Sequence, residues 1–376
     1  MASSVPLAAP WNGADKVVAA LLARHDTANR YIVHTSEREE WPDATRIRRI
    51  CARRTSPMPT RSQKLRGFGY LLRNVRHADI LHVVASIHDD PRLSARLVRS
   101  VRTVSRRPLV HTIPSLGDRP LHARALPGDV SVVFSEHSLG RLARHGIDNV
   151  VRLTPPIDLD RLRPGTPPEQ LRRELRLGER AVLSAGHYGA ASGLEELVEA
   201  FATLPGDLAD ATLVLAYRHH PWQDARRERE RVMDLAAEAG VGSRTRLLGR
   251  VADMPALIAA CATTVLVPSS LESKMDLPLI VLESLALGRP VVVSAAPPAS
   301  EALLDEGGVA VAPGDPAALA DALTQLLRCP EAACAMGDRG RAAALHACDP
   351  RRVVARYHEV YARATSAASD DALRWR

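Results

Sequence analysis

Charged side chains interrupt an apolar stretch in the second half of the chain, which reads ESKMDLPLIVLES at 272–284. Lys274 is one of three lysines in the chain, Asp276 follows it closely, and Glu283 ends the apolar run LPLIVL. A buried core segment has no use for these charges, and a surface loop has no use for the apolar run. The combination predicts a binding site at the mouth of a buried sheet, where charged groups form charge-assisted hydrogen bonds with a ligand.

Short strand-like runs alternate with helix-like runs along the chain, which is the pattern of parallel α/β proteins. A proline-rich, polar stretch at 155–170, PPIDLDRLRPGTPPEQ, interrupts the alternation and predicts an interdomain linker. The strand-like runs before it are SSVPLA, RYIVHT, DILHVVAS, RPLVHTIP, DVSVVFS and NVVRLTP, and those after it are RAVLSAG, ATLVLAY, TRLLGRV, TVLVPSS, PVVVSAA and GGVAVAPGD.

Two Rossmann-like α/β domains facing across a cleft follow from this alternation. We predict an N-terminal domain at 1–165, a C-terminal domain at 166–350, and a final helix at 351–376 that returns to the N-terminal domain. Ligands of open parallel sheets bind beyond the carboxyl ends of the strands, so the cleft is the expected site. The charged loop ESKMD follows the strand-like run TVLVPSS, which places it at such an edge.

Composition excludes several classes of protein. The chain has 376 residues, of which 46% are hydrophobic and 25% charged, as in soluble globular proteins. No apolar run reaches the roughly 18 residues that span a bilayer, and the start MASSVPLAAP lacks the basic region of a signal peptide. Five cysteines without a CxxC pair predict reduced thiols. We therefore predict a cytoplasmic protein.

Positive charge is concentrated between Ala44 and Arg107, where 16 basic residues accompany three acidic ones. Such a patch can attract phosphates, nucleic acid or an anionic membrane, or it can simply reflect the use of arginine in place of lysine. Aromatic residues are only 3% of the chain, which argues against nucleic acid bound by base stacking.

Within this patch, RLSARLVRSVRTVSRR at 92–107 spaces its apolar residues as on one face of a helix. That stripe suits either a membrane surface or packing on a sheet, and we favour packing, with a soluble small-molecule acceptor. Its members are Leu93, Leu97, Val101 and Val104.

Longer motifs resemble the retaining glycosyltransferases of the GT-B fold, and more narrowly their family 4. The resemblance lies in LLGRVADMPALIAACATTVLVPSS, LESLALGRPVVVSAAPPASEAL and GGVAVAPGDPAALADALTQLL in the second half, and in NGADKVVAALL and VVFSEHSLGRLARHGIDNVVRLTPPIDLDRLRP in the first. It implies transfer of a sugar from a UDP- or GDP-linked donor, without a catalytic metal. The donor would bind mainly to the second domain, its diphosphate near helix N-termini, and the acceptor to the first domain.

The family uses two glutamates separated by seven residues, one for the donor sugar and one for the ribose. Glu283 matches the later position and is expected to bind the ribose. Met275 stands at the earlier position, so the sugar contact is expected from Asp276 or, as an alternative, from Glu272. Asp276 suits a second role as well, that of capping the helix that follows it.

The loop GHYGAASG departs from the family pattern GRxxxxKG, because His187 and Ser192 replace the arginine and lysine that grip the diphosphate. His187 still donates a hydrogen bond, but an unperturbed histidine is largely neutral at pH 7. Gly186 and Leu279 are also expected in the donor pocket. The missing positive charge is expected from Lys274, Arg218 or Arg250.

In the first half, Gly13 with Asn12 matches the turn at which the backbone of the family approaches the donor. Pro114 replaces the usual histidine, and His111 lies three residues earlier, on the opposite face of the strand. His88 in SIHDDP is a candidate for contact with the acceptor or the sugar. Asp158-x-Asp160 looks like a metal-binding motif of other glycosyltransferases, but it lies in the linker, so we assign no metal site, and no P-loop sequence is present.

The leading hypothesis is a metal-independent retaining glycosyltransferase that binds a nucleotide sugar and a small-molecule acceptor. Departures from the family at Met275, His187, Ser192 and Pro114 favour a second hypothesis, a related protein that binds a sugar nucleotide or a partner without catalysis. A membrane-surface transferase with a lipid-linked acceptor is the third. Neither nucleic acid nor a bound cofactor is expected, and we assign no oligomeric state.

Overall fold

The computed structural model describes most of the chain as two compact units. One comprises residues 1–157, 272–276 and 348–376, and the other comprises 158–271 and 277–347. We refer to them as unit 1 and unit 2. The residues described are 2–3, 14–35, 46–49, 65, 68–69, 72–73, 75–86, 92–117, 126, 128–188, 192–218, 224–271 and 275–374.

Each unit is built on a parallel sheet. Unit 1 contributes seven described strands and unit 2 contributes six. The strands of unit 1 are β1 (Ala2–Ser3), β2 (Ile32–Thr35), β3 (Arg46–Arg49), β4 (Leu81–Val84), β5 (Leu109–Ile113), β6 (Val130–Val133) and β7 (Val150–Arg152). Those of unit 2 are β8 (Ala181–His187), β9 (Thr212–Arg218), β10 (Thr245–Leu248), β11 (Thr263–Leu266), β12 (Val291–Ser294) and β13 (Gly308–Val311).

Helices connect several of the successive strands in each unit. Among the described residues, no helix is both long and apolar enough to cross a membrane. The α-helices with described bounds are α1 (Ala14–His25), α2 (Arg92–Ser105), α3 (Glu136–Ala143), α4 (Pro168–Leu175), α5 (Leu194–Ala202), α6 (Ala225–Glu238), α7 (Met254–Ala260), α8 (Leu279–Ala286), α9 (Pro316–Arg328), α10 (Pro330–Ala347) and α11 (Pro350–Arg374).

The strand order is doubly wound in both sheets. Unit 1 has the order β3-β2-β1-β4-β5-β6-β7, and unit 2 has β10-β9-β8-β11-β12-β13. Every residue of β4, β5, β6, β11 and β12 is buried, because helices cover the sheets on both sides. That burial explains why these strands read as continuous apolar runs. The predicted α/β class with two parallel sheets is confirmed.

Helix α11 packs in unit 1 through a buried polar network. Tyr357 is fully buried, and its hydroxyl lies 2.9 Å from the Thr112 hydroxyl on β5. The Tyr361 hydroxyl lies 2.9 Å from Nδ1 of His82 on β4, and Nε2 of that imidazole lies 2.8 Å from Thr112 Oγ1. Burial lowers the pKa of His82 well below its ordinary value, so the imidazole is neutral. The last helix therefore completes the core of unit 1.

Several elements differ from the sequence-based expectation. Strand β3 was not expected in the basic run RIRR, and α4 begins inside the stretch predicted as a linker. PASEALLD forms two short 3-10 turns, Ala299–Ala302 and Leu304–Glu306, in place of a helix start.

Helix α10 was also not expected, because its inner face carries small residues instead of an apolar stripe. A Cβ on Gly337 would lie 2.2 Å from the Gly288 carbonyl oxygen, and one on Gly340 would lie 2.6 Å from Leu285 Cδ2. Glycine at both positions allows α10 to pack directly against α8 and the turn that follows it.

We predict that Tyr357→Ala destabilises the protein by about 4 kcal/mol, because it opens a cavity and removes a buried hydrogen bond. Urea denaturation monitored by circular dichroism measures the loss. Arg363→Ala, at an exposed position of the same helix, is the matched control and should change the free energy of unfolding by about 0.5 kcal/mol or less. A loss below about 1 kcal/mol for Tyr357→Ala would show that α11 contributes little to the core.

Candidate functional site

The loops after β8 and β11 meet where the strand order of unit 2 reverses. Gly193, just before α5, has φ of 74°, and a Cβ there would lie 2.1 Å from the Val267 carbonyl oxygen. Both the left-handed backbone and the close approach therefore require glycine. Ligands of doubly wound sheets bind at this reversal, beyond the carboxyl ends of the strands. Helix α5 begins at this reversal, directly after Gly193.

Basic side chains follow neighbouring strands at this edge. His187 and Arg218 are register partners at the ends of β8 and β9 and are partly buried, and the exposed Arg250 comes two residues after β10. Burial lowers the pKa of Arg218, nearby Arg250 lowers it further, and nearby Glu283 raises it. Arg218 thus lies close enough to both Arg250 and the Glu283 carboxyl group to interact with them electrostatically.

Glu283 is on α8, and it is partly buried. Burial is the largest influence on its carboxyl group, and it raises the pKa to about 7. Asp158 also raises the pKa, whereas Arg161 and Arg218 lower it. The group can therefore exchange a proton near neutral pH.

Helix α8 is fixed by its neighbours. Val281, Leu282 and Leu285 are buried, and Ser284 donates a hydrogen bond of 2.9 Å to Thr264 on β11. These contacts fix the position of the helix backbone that carries Glu283.

Ser192 adds a neutral polar group beside the N-terminus of α5. Its side chain is 5% exposed, and the hydroxyl has no hydrogen-bond partner among the described residues. A buried hydroxyl without a partner is unfavourable, and a ligand oxygen at the helix N-terminus would supply one. Gly186, the residue before His187, and Leu279, the first residue of α8, are partly buried in the same unit.

Asp276 belongs to unit 1 and is engaged in hydrogen bonds there. Its carboxylate is 3% exposed, and Oδ2 accepts bonds of 2.7 Å and 2.6 Å from the hydroxyls of Ser135 and Ser138. Burial raises its pKa, and the two serine hydroxyls oppose that effect. The helix to which Asp276 is bonded is thus α3, not the following helix α8. Met275 beside it is buried.

Other predicted site residues lie outside the described part of the chain. These are Asn12, Gly13, His88, Glu272 and Lys274. His111 is described: it is 4% exposed, its Nε2 lies 3.1 Å from the Ala85 carbonyl oxygen, and burial lowers its pKa to about 4. It therefore serves as a neutral core residue.

The electrostatic partners Asp158 and Arg161 were not predicted for this site. They lie at the start of unit 2, in a proline-rich stretch that carries no periodic signal, and the one motif there, Asp158-x-Asp160, is typical of a metal site in other glycosyltransferases. In the described part of the chain, no three histidine, cysteine, aspartate or glutamate side chains are grouped as metal ligands.

The raised pKa of Glu283 predicts a pH dependence of stability. Between its ordinary pKa, 4.5, and about 7, the folded protein holds a proton that the unfolded chain releases. This contribution to stability is therefore present below pH 4.5 and is lost as the pH rises through about 7. Glu283→Gln removes the loss, so the stability of the variant relative to wild type should rise between about pH 5 and about pH 8. Urea denaturation at both pH values measures the free energy of unfolding, and the exposed Glu238→Gln is the control. An identical pH dependence in Glu283→Gln and wild type would contradict the prediction.

Comparison with known proteins is consistent with this geometry. Residues 168–343 match the family described as Glycosyl transferases group 1. No curated protein matches the chain. The fold is similar to that of sucrose-phosphate synthase from Thermosynechococcus elongatus, with a TM-score of 0.77 at 20% identity over 97% of this chain and 98% of that one.

Two further solved structures show the same similarity. HepE from Anabaena, in complex with UDP-glucose, gives a TM-score of 0.75 at 16% identity over 96% of this chain and 98% of that one. A glycosyltransferase from Rickettsia africae has a TM-score of 0.75 at 14% identity, over 97% of this chain and 98% of that one. Residues 168–343 thus match the glycosyl transferases group 1 family, and the chain as a whole has the GT-B fold of these solved structures.

Proposed function

We propose that this protein transfers a sugar from a UDP- or GDP-linked donor to an acceptor hydroxyl, with retention of configuration and without a metal. The observation that carries the proposal is the grouping of Glu283, Arg218, Arg161 and Asp158 in unit 2, together with the Gly193 turn at the reversal of strand order. HepE binds UDP-glucose in its solved structure, which favours a uridine donor.

Each part of this grouping has a role that its chemistry suits. The ionised carboxylate of Glu283 accepts hydrogen bonds from the ribose hydroxyls. Arg218 and Arg250 balance the charge of the diphosphate, while the N-terminus of α5 and the Ser192 hydroxyl supply oriented donors. His187 donates a further hydrogen bond to the diphosphate. These groups together bind the diphosphate although the arginine and lysine of the family are replaced by His187 and Ser192.

Retention follows if the acceptor hydroxyl attacks from the face that the diphosphate leaves. A diphosphate oxygen then accepts the proton of the attacking hydroxyl, the bond from the sugar to the diphosphate breaks, and a bond to the acceptor oxygen forms. This route requires stabilisation of the departing diphosphate more than a side-chain base. The cations of unit 2 provide that stabilisation.

A soluble, small acceptor and a cytoplasmic location are part of the proposal. In α2, Val101 of the apolar stripe is fully buried, so part of that stripe packs inside unit 1. Val104 on the same helix is 73% exposed, which is the observation that favours a membrane-bound, lipid-linked acceptor instead. Sedimentation with liposomes of acidic lipids at low salt would support the lipid-linked acceptor, and its absence supports the soluble one.

A binding protein without transferase activity is the second candidate, and the engaged carboxylate of Asp276 favours it. Incubation with UDP- and GDP-sugars, with and without a chelator, separates the two. Slow release of UDP or GDP that persists with the chelator supports the transferase, and retained configuration of a product is read by NMR. Binding without turnover supports the second candidate.

We predict that Glu283→Ala weakens UDP binding by about 10- to 100-fold, because it removes a charge-assisted hydrogen bond worth about 1.5–3 kcal/mol. Isothermal titration calorimetry measures the affinity. Glu238→Ala, at the exposed end of α6 that precedes β10, is the matched control and should bind UDP as wild type does. Equal affinity of Glu283→Ala and wild type would remove Glu283 from the nucleotide site.

A further inference from the structure

The carboxylate of Asp276 joins two loops at the carboxyl edge of the sheet in unit 1. One is 114–117, which follows β5, and the other is the start of α3, which follows β6. The main-chain N–H of Asp276 donates a bond of 2.9 Å to the Pro114 carbonyl, and the carboxylate accepts a bond from the Leu116 N–H. The same carboxylate accepts from Ser135 and Ser138 of the second loop.

Helix α3 is well suited to receive this carboxylate. Ser135 is its N-cap, and the hydroxyl accepts a bond of 3.0 Å from the Ser138 N–H. Since that hydroxyl also donates to Asp276, one chain of hydrogen bonds connects the carboxylate to the helix backbone. The positive end of the helix dipole stabilises the negative charge. A second connection is made by Arg141 of α3, which donates to the Gly117 carbonyl.

These bonds leave little of the Asp276 carboxylate accessible to a ligand. The carboxylate is 3% exposed, and Ser135 and Ser138 are 0% and 1% exposed. A sugar hydroxyl would have to reach a carboxylate that is almost fully covered and whose Oδ2 already accepts two short, charge-assisted bonds. The two loops that Asp276 joins, in contrast, lie where ligands of a doubly wound sheet bind.

We infer that Asp276 is a positioning residue of the acceptor site, which holds loop 114–117 against the start of α3, and not a ligand of the donor sugar. This inference rests on the proposed function, in which unit 1 binds the acceptor. It differs from the role predicted from the sequence, where Asp276 substitutes for a glutamate that contacts the sugar.

Hydrogen exchange followed by mass spectrometry tests the contact without any substrate. Asp276→Asn replaces a charged acceptor by a neutral one, and Ser138→Ala removes one donor with a smaller change in the core. Both variants should speed amide exchange in peptides covering 109–117 and 130–143 by about tenfold. Asp148→Asn, at an exposed position of unit 1, should exchange as wild type does. Unchanged exchange in both test variants would overturn the inference.

Binding and kinetics separate a positioning role from a structural one. UDP affinity, measured by calorimetry, should stay within about twofold of wild type in both variants, because the nucleotide ligands lie in unit 2. Hydrolysis of UDP-glucose by water should be similarly retained, while the KM for an acceptor found by screening sugars and sugar phosphates should rise about tenfold. A double variant no worse than Asp276→Asn would show that the two residues act together.

Two other results have distinct meanings. Loss of UDP-glucose hydrolysis in Asp276→Asn, with full activity in Ser138→Ala, would overturn the inference in favour of a sugar contact. Failure of wild type to bind UDP or GDP would contradict the proposed function, whereas the exchange experiment would still report whether Asp276 joins the two loops.

Discussion

The candidate site depends on the close approach of two loops at Gly193 and Val267. A carbonyl oxygen fills the space that any side chain at position 193 would need. That contact fixes the start of α5, whose first N–H groups have no partner within the helix itself, beside the end of β11. Three polar side chains lie at this same edge of the sheet: Ser192 before α5, and His187 and Arg218 at the ends of β8 and β9.

Charge in the site is balanced against burial. Glu283 is partly removed from water, which favours its neutral form, while Arg218 and Arg161 favour the anion. Arg218 is subject to the opposite pair of influences, because burial and Arg250 disfavour its charge and Glu283 favours it. A diphosphate would relieve the repulsion between the arginines, and hydroxyl donors would satisfy the carboxylate. A nucleotide sugar, as proposed above, carries both kinds of group.

Much of the fold is predictable from the sequence because both sheets are covered on two sides, so their strands are uninterrupted apolar runs. Strand β3 was not predicted because RIRR resembles a basic loop, and α10 was not predicted because Gly337 and Gly340 replace the apolar residues that define a helical stripe. Glu283 was singled out because it directly follows the apolar run LPLIVL after a strand, and its contact with a ribose stays a prediction. The contacts of Asp276 with Ser135 and Ser138 join residues about 140 positions apart, and no local pattern reports such a pairing.

The network that fixes α11 has a consequence for biosynthesis. Tyr357 and Tyr361 complete a core whose other members include His82 and Thr112, which are synthesised more than 240 residues earlier. Unit 2, in contrast, ends at residue 347. On a ribosome, therefore, the later half of the chain can reach its final packing first, and the earlier half has to wait, with an exposed apolar surface, until the last helix emerges.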